Sequence, residues 1–418
     1  MTTQTTQNQN PMEHSEDFLS HIKNKERVEK TFQFYVKMMQ AGLKYGFSDI
    51  VFSEWEFPYM IDSSHNVYEY EVEIEGKKGK YIFEKVYRAK INNDVLSKDD
   101  IADLFLKLQD FSVLEGLSEK FKANLGVDFA VRINGTKLRC NLSNFKGRRL
   151  ELVCRVIPSE DAKTLEDLGL ISQGSQVYKN VLNNMEGLIL VVGPTGSGKS
   201  TTLTAMIDEV NRNEGKHIVT LEDPVEYEHT NKKSKIVQRE VGTDILSYAD
   251  GMKFILRQKP HIVVVGETRT ADVMKVLVEL SMTGHLCLTT FHSKSVMQTL
   301  SRMETFYSEG EREGLRADIA EIIIAIFVQR LIPKKWGGKV LLKEIMVATD
   351  DIRRAIRERD EERLLKFIEN GAEKGMTSTD QSLLELFEAD LITGETFAHY
   401  AVDKEFAETH TGIGQNRG

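Results

Sequence analysis

The residues most suited to chemistry form a glycine-rich loop at 193–200, which reads Gly-Pro-Thr-Gly-Ser-Gly-Lys-Ser. This loop directly follows the apolar run Leu-Ile-Leu-Val-Val at 188–192, so it lies where a buried strand would pass into a helix. Glycines in this pattern let successive backbone N–H groups turn toward one point, and the positive end of the following helix dipole faces the same point. The sequence therefore predicts a cradle for the phosphates of a nucleoside triphosphate.

Two residues of this loop have distinct expected tasks. Lys199 can reach the β- and γ-phosphates, and the hydroxyl of Ser200 is placed to bind Mg²⁺. We expect the following residues to bind ATP: Gly193, Pro194, Thr195, Gly196, Ser197, Gly198, Lys199, Ser200 and Thr201. A glycine-rich turn without a ligand is the alternative, but eight consecutive matching positions between a strand and a helix disfavour it.

Two acidic segments could supply the carboxylates that phosphoryl transfer to water requires. The first, 220–227, reads Thr-Leu-Glu-Asp-Pro-Val-Glu-Tyr, and Pro224 ends its strand. The second, 262–269, reads Ile-Val-Val-Val-Gly-Glu-Thr-Arg and places Glu267 just beyond four apolar residues. Because ligands of parallel sheets bind at the carboxyl ends of the strands, we expect both segments beside the phosphate loop. A solvated strand end is the alternative for either segment taken alone.

Two histidines, His285 and His292, flank a further apolar strand. Their spacing of seven fits no compact zinc motif, and no paired cysteine ligands accompany them. A histidine at a strand edge is usually a surface or packing residue. The position of His292 at the same end as the acidic segments instead favours a bond to a phosphate or a carboxylate.

The elements that must position these residues follow an alternating pattern from about residue 165 onward. We predict strands at 187–192, 217–221, 261–265 and 285–290, and helices at 200–212, 247–258, 271–283 and 295–303. This alternation is typical of a parallel sheet covered by helices on both faces, and hence of the α/β class. We further predict one apolar helix over 315–330, a hairpin around 336–338 and more helices to about 397.

The first part of the chain has the pattern of a smaller α+β domain with a mostly antiparallel sheet. We predict helices over 16–43 and 98–123, with strands at 49–52, 67–74, 80–86, 129–132, 137–142 and 150–156. The expected domain boundaries are a polar tail at 1–15, an N-terminal domain at 16–157, a linker at 158–175, an ATPase domain at 176–400 and a tail at 401–418.

Composition narrows the class of protein. With 40% hydrophobic and 28% charged residues the chain has the make-up of a soluble globular protein. Its formal net charge of -9 gives no electrostatic reason to expect nucleic acid as the main partner. The longest apolar stretch, 322–328, is far shorter than the roughly 18–20 residues of a spanning helix. The three scattered cysteines are most simply buried thiols in a reducing compartment, so we expect a cytoplasmic protein.

Four segments together resemble the signature boxes of secretion-superfamily ATPases, the hexameric motors of type II secretion, type IV pili and type IV secretion. They are 193–200 (Walker A), 221–227 (Asp box), 265–269 (Walker B) and 283–292 (His box). This resemblance implies a RecA-like ATPase domain joined to a PAS-like N-terminal domain, with ATP and Mg²⁺ as cofactors. It also implies that Glu226 orients or activates the attacking water, that Glu267 acts on Mg²⁺ and the water, and that His292 contacts the γ-phosphate side.

Members of this family close their site with arginines from the N-terminal domain. Three arginines near the last N-terminal strands match this pattern: Arg139, Arg148 and Arg155. Arg155 is the best match, and an arginine delivered by domain closure would neutralise charge on the transferred phosphoryl group. Surface ion pairs are the alternative for each of them. Three further arginines match family positions without an assigned role: Arg239, Arg257 and Arg269.

One further segment bears on the branch of the family. Residues 351–358 read Asp-Ile-Arg-Arg-Ala-Ile-Arg-Glu and resemble a box of pilus-retraction ATPases, although three of the eight positions differ. An ordinary amphipathic helix is the alternative. The resemblance implies a homohexamer that retracts pili, docked on a platform protein and peripheral at the inner membrane. A compact type IV secretion ATPase (Dot/Icm-like or conjugative) remains the alternative, and a nucleic-acid motor is disfavoured by the acidic charge.

Overall fold

The computed structural model describes residues 47–53, 59–62, 69–74, 77–82, 87–88, 98–109, 117–133, 136–145, 149–157, 162–169 and 174–412. The chain divides into two compact units, Met1–Glu160 and Asp161–Gly418. The expected tail at 1–15, the expected helix over 16–43 and Arg148 lie outside the described residues. Within the described ranges, no helix combines the length and the apolar composition needed to cross a bilayer.

The first unit contains a six-stranded sheet in the order β5-β2-β1-β8-β7-β6, whose described pairs are all antiparallel. Its strands, with a separate β3–β4 hairpin, are β1 (Phe47–Ser53), β2 (Tyr59–Asp62), β3 (Glu69–Ile74), β4 (Lys77–Ile82), β5 (Tyr87–Arg88), β6 (Gly126–Ile133), β7 (Thr136–Phe145) and β8 (Arg149–Ile157). Two helices accompany them, α1 (Lys98–Gln109) and α2 (Leu117–Asn124). The ring of Phe105 in α1 lies 5.4 Å from that of Phe129 in β6. An α+β unit with an antiparallel sheet is therefore confirmed, whereas its relation to PAS domains stays a prediction.

The second unit is built on a seven-stranded sheet in the order β11-β10-β12-β13-β9-β14-β15. Its strands are β9 (Gly187–Val192), β10 (His217–Glu222), β11 (Lys235–Glu240), β12 (Ile262–Val265), β13 (Leu286–Phe291), β14 (Ile323–Pro333) and β15 (Lys339–Val347). Neighbours from β11 to β14 are parallel, and β15 pairs antiparallel with β14. The predicted parallel α/β sheet and its terminal hairpin are confirmed.

Helices cover both faces of this sheet. They are α3 (Gly174–Leu182), α4 (Lys199–Asn213), α5 (Tyr248–Gln258), α6 (Ala271–Met282), α7 (Val296–Glu304), α8 (Arg312–Ile322), α9 (Asp350–Glu358), α10 (Glu361–Glu369), α11 (Thr379–Glu388), α12 (Gly394–Tyr400) and α13 (Lys404–Thr411). Every residue of β9, β12 and β13 is buried, because each strand has a packed helical layer on either side. The ends of these central strands are therefore the places where polar side chains can emerge.

The prediction of one helix over 315–330 is wrong. Helix α8 ends at Ile322, and the chain continues as strand β14. The run Ile-Ile-Ala-Ile-Phe-Val at 323–328 is rich in β-branched residues, which favour a strand, and pairing with β9 buries it at every position. A short apolar run cannot be assigned to helix or strand from periodicity alone, since a buried element is apolar all round.

Strand β11 and helix α13 are among the elements that were not predicted. Strand β11 has a polar sequence, Lys-Ile-Val-Gln-Arg-Glu, and only Ile236 in it is buried, because β11 is the edge of the sheet. Helix α13 lies in the segment expected to be a tail at 401–418. The side chain of Asp403 caps α13 by accepting hydrogen bonds from two backbone N–H groups, and Ala407 is buried in an apolar cluster that includes Leu386 and Phe397. The expectation of a tail is therefore wrong for 404–411.

Candidate functional site

The phosphate loop joins β9 to α4, as its sequence predicts. Helix α4 begins at Lys199, with Gly198 as its N-cap in the left-handed conformation (φ 86°). Gly196 also has a positive φ, 74°, and therefore needs glycine for its backbone conformation rather than for space. At Gly193 the reason is space, because a Cβ there would lie 2.3 Å from the carbonyl oxygen of Gln329. Backbone conformation thus explains Gly196 and Gly198, and close packing explains Gly193.

Lys199 is half-buried within the loop. Its Nζ donates hydrogen bonds to the carbonyl oxygens of Gly193 (2.9 Å) and Pro194 (3.0 Å). Burial lowers the pKa of Lys199, and the charges of Glu267 and Glu226 oppose that shift. The structure therefore brings the loop lysine into the electrostatic reach of the two carboxylates that were expected to serve catalysis.

Glu267 follows β12 and is held from two sides. Its Oε1 lies 2.9 Å from Nε2 of His292, and its Oε2 lies 2.5 Å from Nη2 of Arg269. Burial alone would raise the pKa of Glu267, but the hydrogen bond from Arg269 and the charges of His292, Arg269 and Lys199 bring that pKa below its usual value. Glu267 is therefore ionised at neutral pH, as a ligand of Mg²⁺ must be.

His292 follows β13 and faces the same carboxylate. Burial and the neighbouring charge of Lys199 lower the pKa of His292, while Glu267 opposes the shift. At neutral pH the ring is therefore mostly neutral, and Nε2–H donates to Glu267. Arg302 of α7 donates to the carbonyl oxygen of His292, and its guanidinium lies 5.6 Å from the ring centre of Phe291. These contacts fix the backbone that carries His292.

The acids after β10 differ from one another. Glu222 is largely buried, and its Oε1 accepts hydrogen bonds from Thr220 Oγ1 (2.6 Å) and Gln238 Nε2 (3.0 Å). Burial raises the pKa of Glu222, and those hydrogen bonds oppose the shift. Four residues later, beyond the cis peptide bond that precedes Pro224, Glu226 is exposed. One acid of the segment therefore contacts the protein interior, whereas Glu226 is accessible to a ligand.

Arg155 lies in the first unit, on β8, directly opposite Arg139 in β7. Its side chain is exposed. The two arginines thus share one position of the antiparallel ladder, and side chains at such a position lie on the same face of a sheet. A role for Arg155 in the ATP site stays a prediction.

One residue that contacts the phosphate loop directly was not predicted from the sequence. Gln329 of β14 is 1% exposed, and its Nε2 donates a 2.8 Å hydrogen bond to the carbonyl oxygen of Ser197. The misassigned helix over 315–330 hid this contact. The available signal was a glutamine that follows an unbroken apolar run of seven residues, 322–328, where a polar side chain needs a partner.

A second buried polar residue on the same hairpin supports the segment after His292. Both carboxylate oxygens of Glu344 in β15 lie 3.4 Å from the backbone N of Val296, the first residue of α7. Burial raises the pKa of Glu344 to about 7, and this hydrogen bond opposes the shift. The β14–β15 hairpin thus contacts both the phosphate loop and the start of α7.

The parallel sheet, the loop between β9 and α4, and the acids at the neighbouring strand ends are those of the P-loop class of nucleotide-binding proteins. A family model described as "Type II/IV secretion system protein" matches residues 126–389. The chain belongs to this family.

Several members of this family with a named function are similar to the chain. The "Type IV pilus retractation ATPase PilT" of Pseudomonas aeruginosa is 37% identical over 276 residues, which cover 66% of this chain and 78% of the relative. The "Twitching motility protein" of Neisseria gonorrhoeae is 34% identical over 319 residues, covering 76% and 82%. Among solved structures, the pilus retraction motor PilT with bound ADP superimposes with a TM-score of 0.75 at 29% identity, covering 88% of this chain and 97% of that one.

Proposed function

We propose that this chain is an ATPase motor that drives type IV pilus retraction. The observation that carries the proposal is the arrangement of Glu267, His292 and Arg269 at the strand ends beside Lys199 of the phosphate loop. Relatives named as a pilus retraction ATPase and a twitching motility protein support the biological setting.

The reaction that suits these residues is direct attack of water on the γ-phosphate, without a covalent enzyme intermediate. Lys199 and the N–H groups of the loop hold the phosphates, since both present positive charge to one point. Glu226 is exposed and acts on Lys199 electrostatically, so it suits the task of orienting the attacking water. Arg155, delivered from the first unit, stabilises charge on the transferred group.

Two residues suit a magnesium ion. Ser200 is exposed at the start of α4, and Glu267 is ionised at neutral pH. Magnesium in such sites takes few protein ligands and completes its coordination with phosphates and water. This agrees with the described part of the chain, in which no group of three or more metal-binding side chains occurs. The ion, when bound, would neutralise phosphate charge. Arg269 and His292 would keep the carboxylate of Glu267 in place beside it.

The working assembly, in this proposal, is a homohexamer located in the cytoplasm and peripheral at the inner membrane through a platform protein of the pilus machinery. The first unit would serve as the PAS-like domain of the motor. Nucleic acid is not an expected partner, because the chain carries a net charge of -9.

The segment at 351–358, which resembles the retraction box, lies on helix α9. Its apolar face is buried, as an amphipathic helix requires: Ile352, Ala355 and Ile356. The arginines on the helix do more than face solvent, because Arg353 donates to the last carbonyl oxygens of α8 and Arg357 binds the carboxylate of Glu321 at 3.0 Å. Positive side chains at a helix C-terminus are favourable to that helix. The box thus fastens α9 to α8.

A pulldown from membranes with the intact chain separates retraction from the alternative of type IV secretion. Recovery of a pilus platform protein is the expected result. Recovery of a secretion-core protein in its place would overturn the retraction proposal and favour export. Stimulation of the ATPase activity by DNA would instead support a nucleic-acid motor.

A further inference from the structure

Gln329 is joined to the phosphate loop by a hydrogen bond that only its amide nitrogen can make. The acceptor is the carbonyl oxygen of Ser197, 2.8 Å away, and a carbonyl cannot donate. Gln329 is 1% exposed, so water does not compete for this bond. Strand β14 runs parallel to β9, with Val328 opposite Val192, which places Gln329 beside the first residues of the loop.

The glycines of the loop are packed against the same residue. A Cβ on Gly193 would lie 2.3 Å from the backbone oxygen of Gln329, and a Cβ on Gly198 would lie 3.3 Å from its Nε2. The first contact would be a clash with backbone, which cannot be relieved by a side-chain rotation. Gln329 therefore forms one wall of the loop with both its main chain and its side chain.

The hydrogen bond fixes one peptide plane of the cradle. The peptide between Ser197 and Gly198 is trans, so its C=O and N–H point in opposite directions. Because Gln329 holds the Ser197 carbonyl oxygen, the N–H of Gly198 is turned away from Gln329. That N–H belongs to the glycine directly before Lys199, among the loop amides that face the phosphates. We propose that Gln329 is a positioning residue, which aims the Gly198 amide at the phosphates of the bound nucleotide.

Stability alone does not account for a glutamine at this place. Gln329 Oε1 and Ser197 Oγ are both buried and have no hydrogen-bond partner among the described residues. A buried polar atom without a partner destabilises a fold, and an apolar side chain of similar volume would remove the Oε1 atom altogether. An apolar side chain would, however, also leave the Ser197 carbonyl oxygen without its partner, so the glutamine holds that oxygen while leaving its own Oε1 unpaired.

This inference rests on the proposed function only in that the loop binds a nucleotide. We test it with Gln329→Met, which keeps the side-chain volume and removes the donor. The matched control is Gln381→Met in α11, because Gln381 Nε2 also donates to a carbonyl oxygen, that of Glu369, at 2.8 Å. We expect the Kd of Mg-ADP and Mg-ATP, measured with a fluorescent analogue, to rise about tenfold for Gln329→Met and to stay within about twofold for Gln381→Met.

Kinetics distinguish positioning from general support of the fold. The Gly198 amide would bind phosphate equally before and during the reaction, so KM should rise while kcat at saturating ATP stays within about threefold. A purely structural role would lower the melting temperature and leave the KM of the folded protein unchanged. Affinity within about twofold of the unmodified chain would overturn the proposal. If the unmodified chain itself fails to bind ATP, the proposed function fails instead.

In a second variant, Gln329→Glu, the hydrogen bond to Ser197 should be restored when the pH is lowered. A protonated carboxyl can donate to the Ser197 oxygen, whereas an ionised carboxylate repels both that oxygen and the phosphates. Burial raises the pKa of a carboxyl, so this group should be protonated in part near neutrality. We expect its Kd for Mg-ADP, divided by that of the unmodified chain, to fall several-fold between about pH 8 and about pH 6. A constant ratio, or failure of both variants to fold, would overturn the proposal.

Discussion

Two acidic loops lie at the carboxyl ends of the neighbouring strands β10 and β12, and they use their carboxylates differently. In the Asp-box loop (residues 222–227) the buried acid, Glu222, binds Thr220 and Gln238 of the sheet, and the exposed Glu226 follows four residues later. In the Walker-B loop (residues 266–269) the acid closest to the strand, Glu267, is itself the one held by a histidine and an arginine.

The difference teaches how each loop separates support from chemistry. In the Asp-box loop the carboxylate of Glu222 binds two side chains of the sheet, and the carboxylate of Glu226 is exposed. In the Walker-B loop a single carboxylate is accessible, and its support comes from two side chains, one of which lies on the neighbouring strand end. We therefore expect substitutions in the Walker-B loop to act on chemistry directly, whereas the Asp-box loop should tolerate loss of its buried acid.

The largest effect is expected for Glu267→Gln. The amide keeps an acceptor for His292 but loses the negative charge that Mg²⁺ and the attacking water require. We expect kcat to fall by about 10²–10³-fold while ATP is still bound, as removal of one electrostatic contact at a reacting group typically does. Steady-state ATPase assays and a filter-binding measurement of retained nucleotide check this.

The matched control for that substitution is Glu362→Gln, which makes the same chemical change at an exposed carboxylate paired with Lys366 on α10. Its turnover should match that of the unmodified chain. Normal ATP hydrolysis by Glu267→Gln would show that the assignment of this carboxylate is wrong, and the contrast between the two loops would lose its basis.

A smaller effect is expected for Arg269→Ala. The hydrogen bond and charge of Arg269 lower the pKa of Glu267, so removing them raises it. Glu267 would then be protonated at a higher pH, and the acidic limb of the kcat/KM profile should move toward neutrality. At neutral pH we expect a loss of no more than about tenfold, because Arg269 itself is mostly exposed and such pairs are weak.

The measurement for Arg269→Ala is a pH–rate profile, taken beside that of Arg363→Ala. Arg363 also pairs with a carboxylate, Glu358, but on the exposed face of the C-terminal helices. An acidic limb that stays in place after Arg269→Ala would mean that the pair does not tune Glu267.

Much of the Walker-B loop and of the phosphate loop follows from sequence, for a physical reason. A strand buried on both faces must be apolar, so the first acid beyond it marks the strand end, as at Glu267. The loop glycines and Lys199 lie in one continuous segment. His292 is found by the same reasoning, since it directly follows the buried strand β13.

Other features of the site depend on contacts that local sequence does not contain. Glu222 ends strand β10 and Glu226 follows that strand, and the bonds from Thr220 and from Gln238, which lies on an edge strand that was not predicted, show that Glu222 is the acid held by the protein. The contact of Gln329 with the phosphate loop depends on 323–333 being a strand beside β9, and that pairing is not contained in the local sequence. The proposed role of Arg155 is not encoded by any local pattern of the sequence.

The smallest effect is expected for Glu222→Gln, and it tests the contrast between the loops most sharply. Burial raises the pKa of Glu222, so the neutral amide resembles the protonated form of this acid, and its oxygen can still accept from Thr220. The same oxygen can also accept from Gln238, so little change in melting temperature is expected, with kcat within about threefold of the unmodified chain. Glu226→Gln is the companion variant and should lose about 10²-fold or more, since it removes the carboxylate proposed to orient water. If the two results were exchanged, the buried acid would be the one that acts on water, and the hydrogen bonds from Thr220 and Gln238 would then serve to orient a reacting group rather than to support a loop.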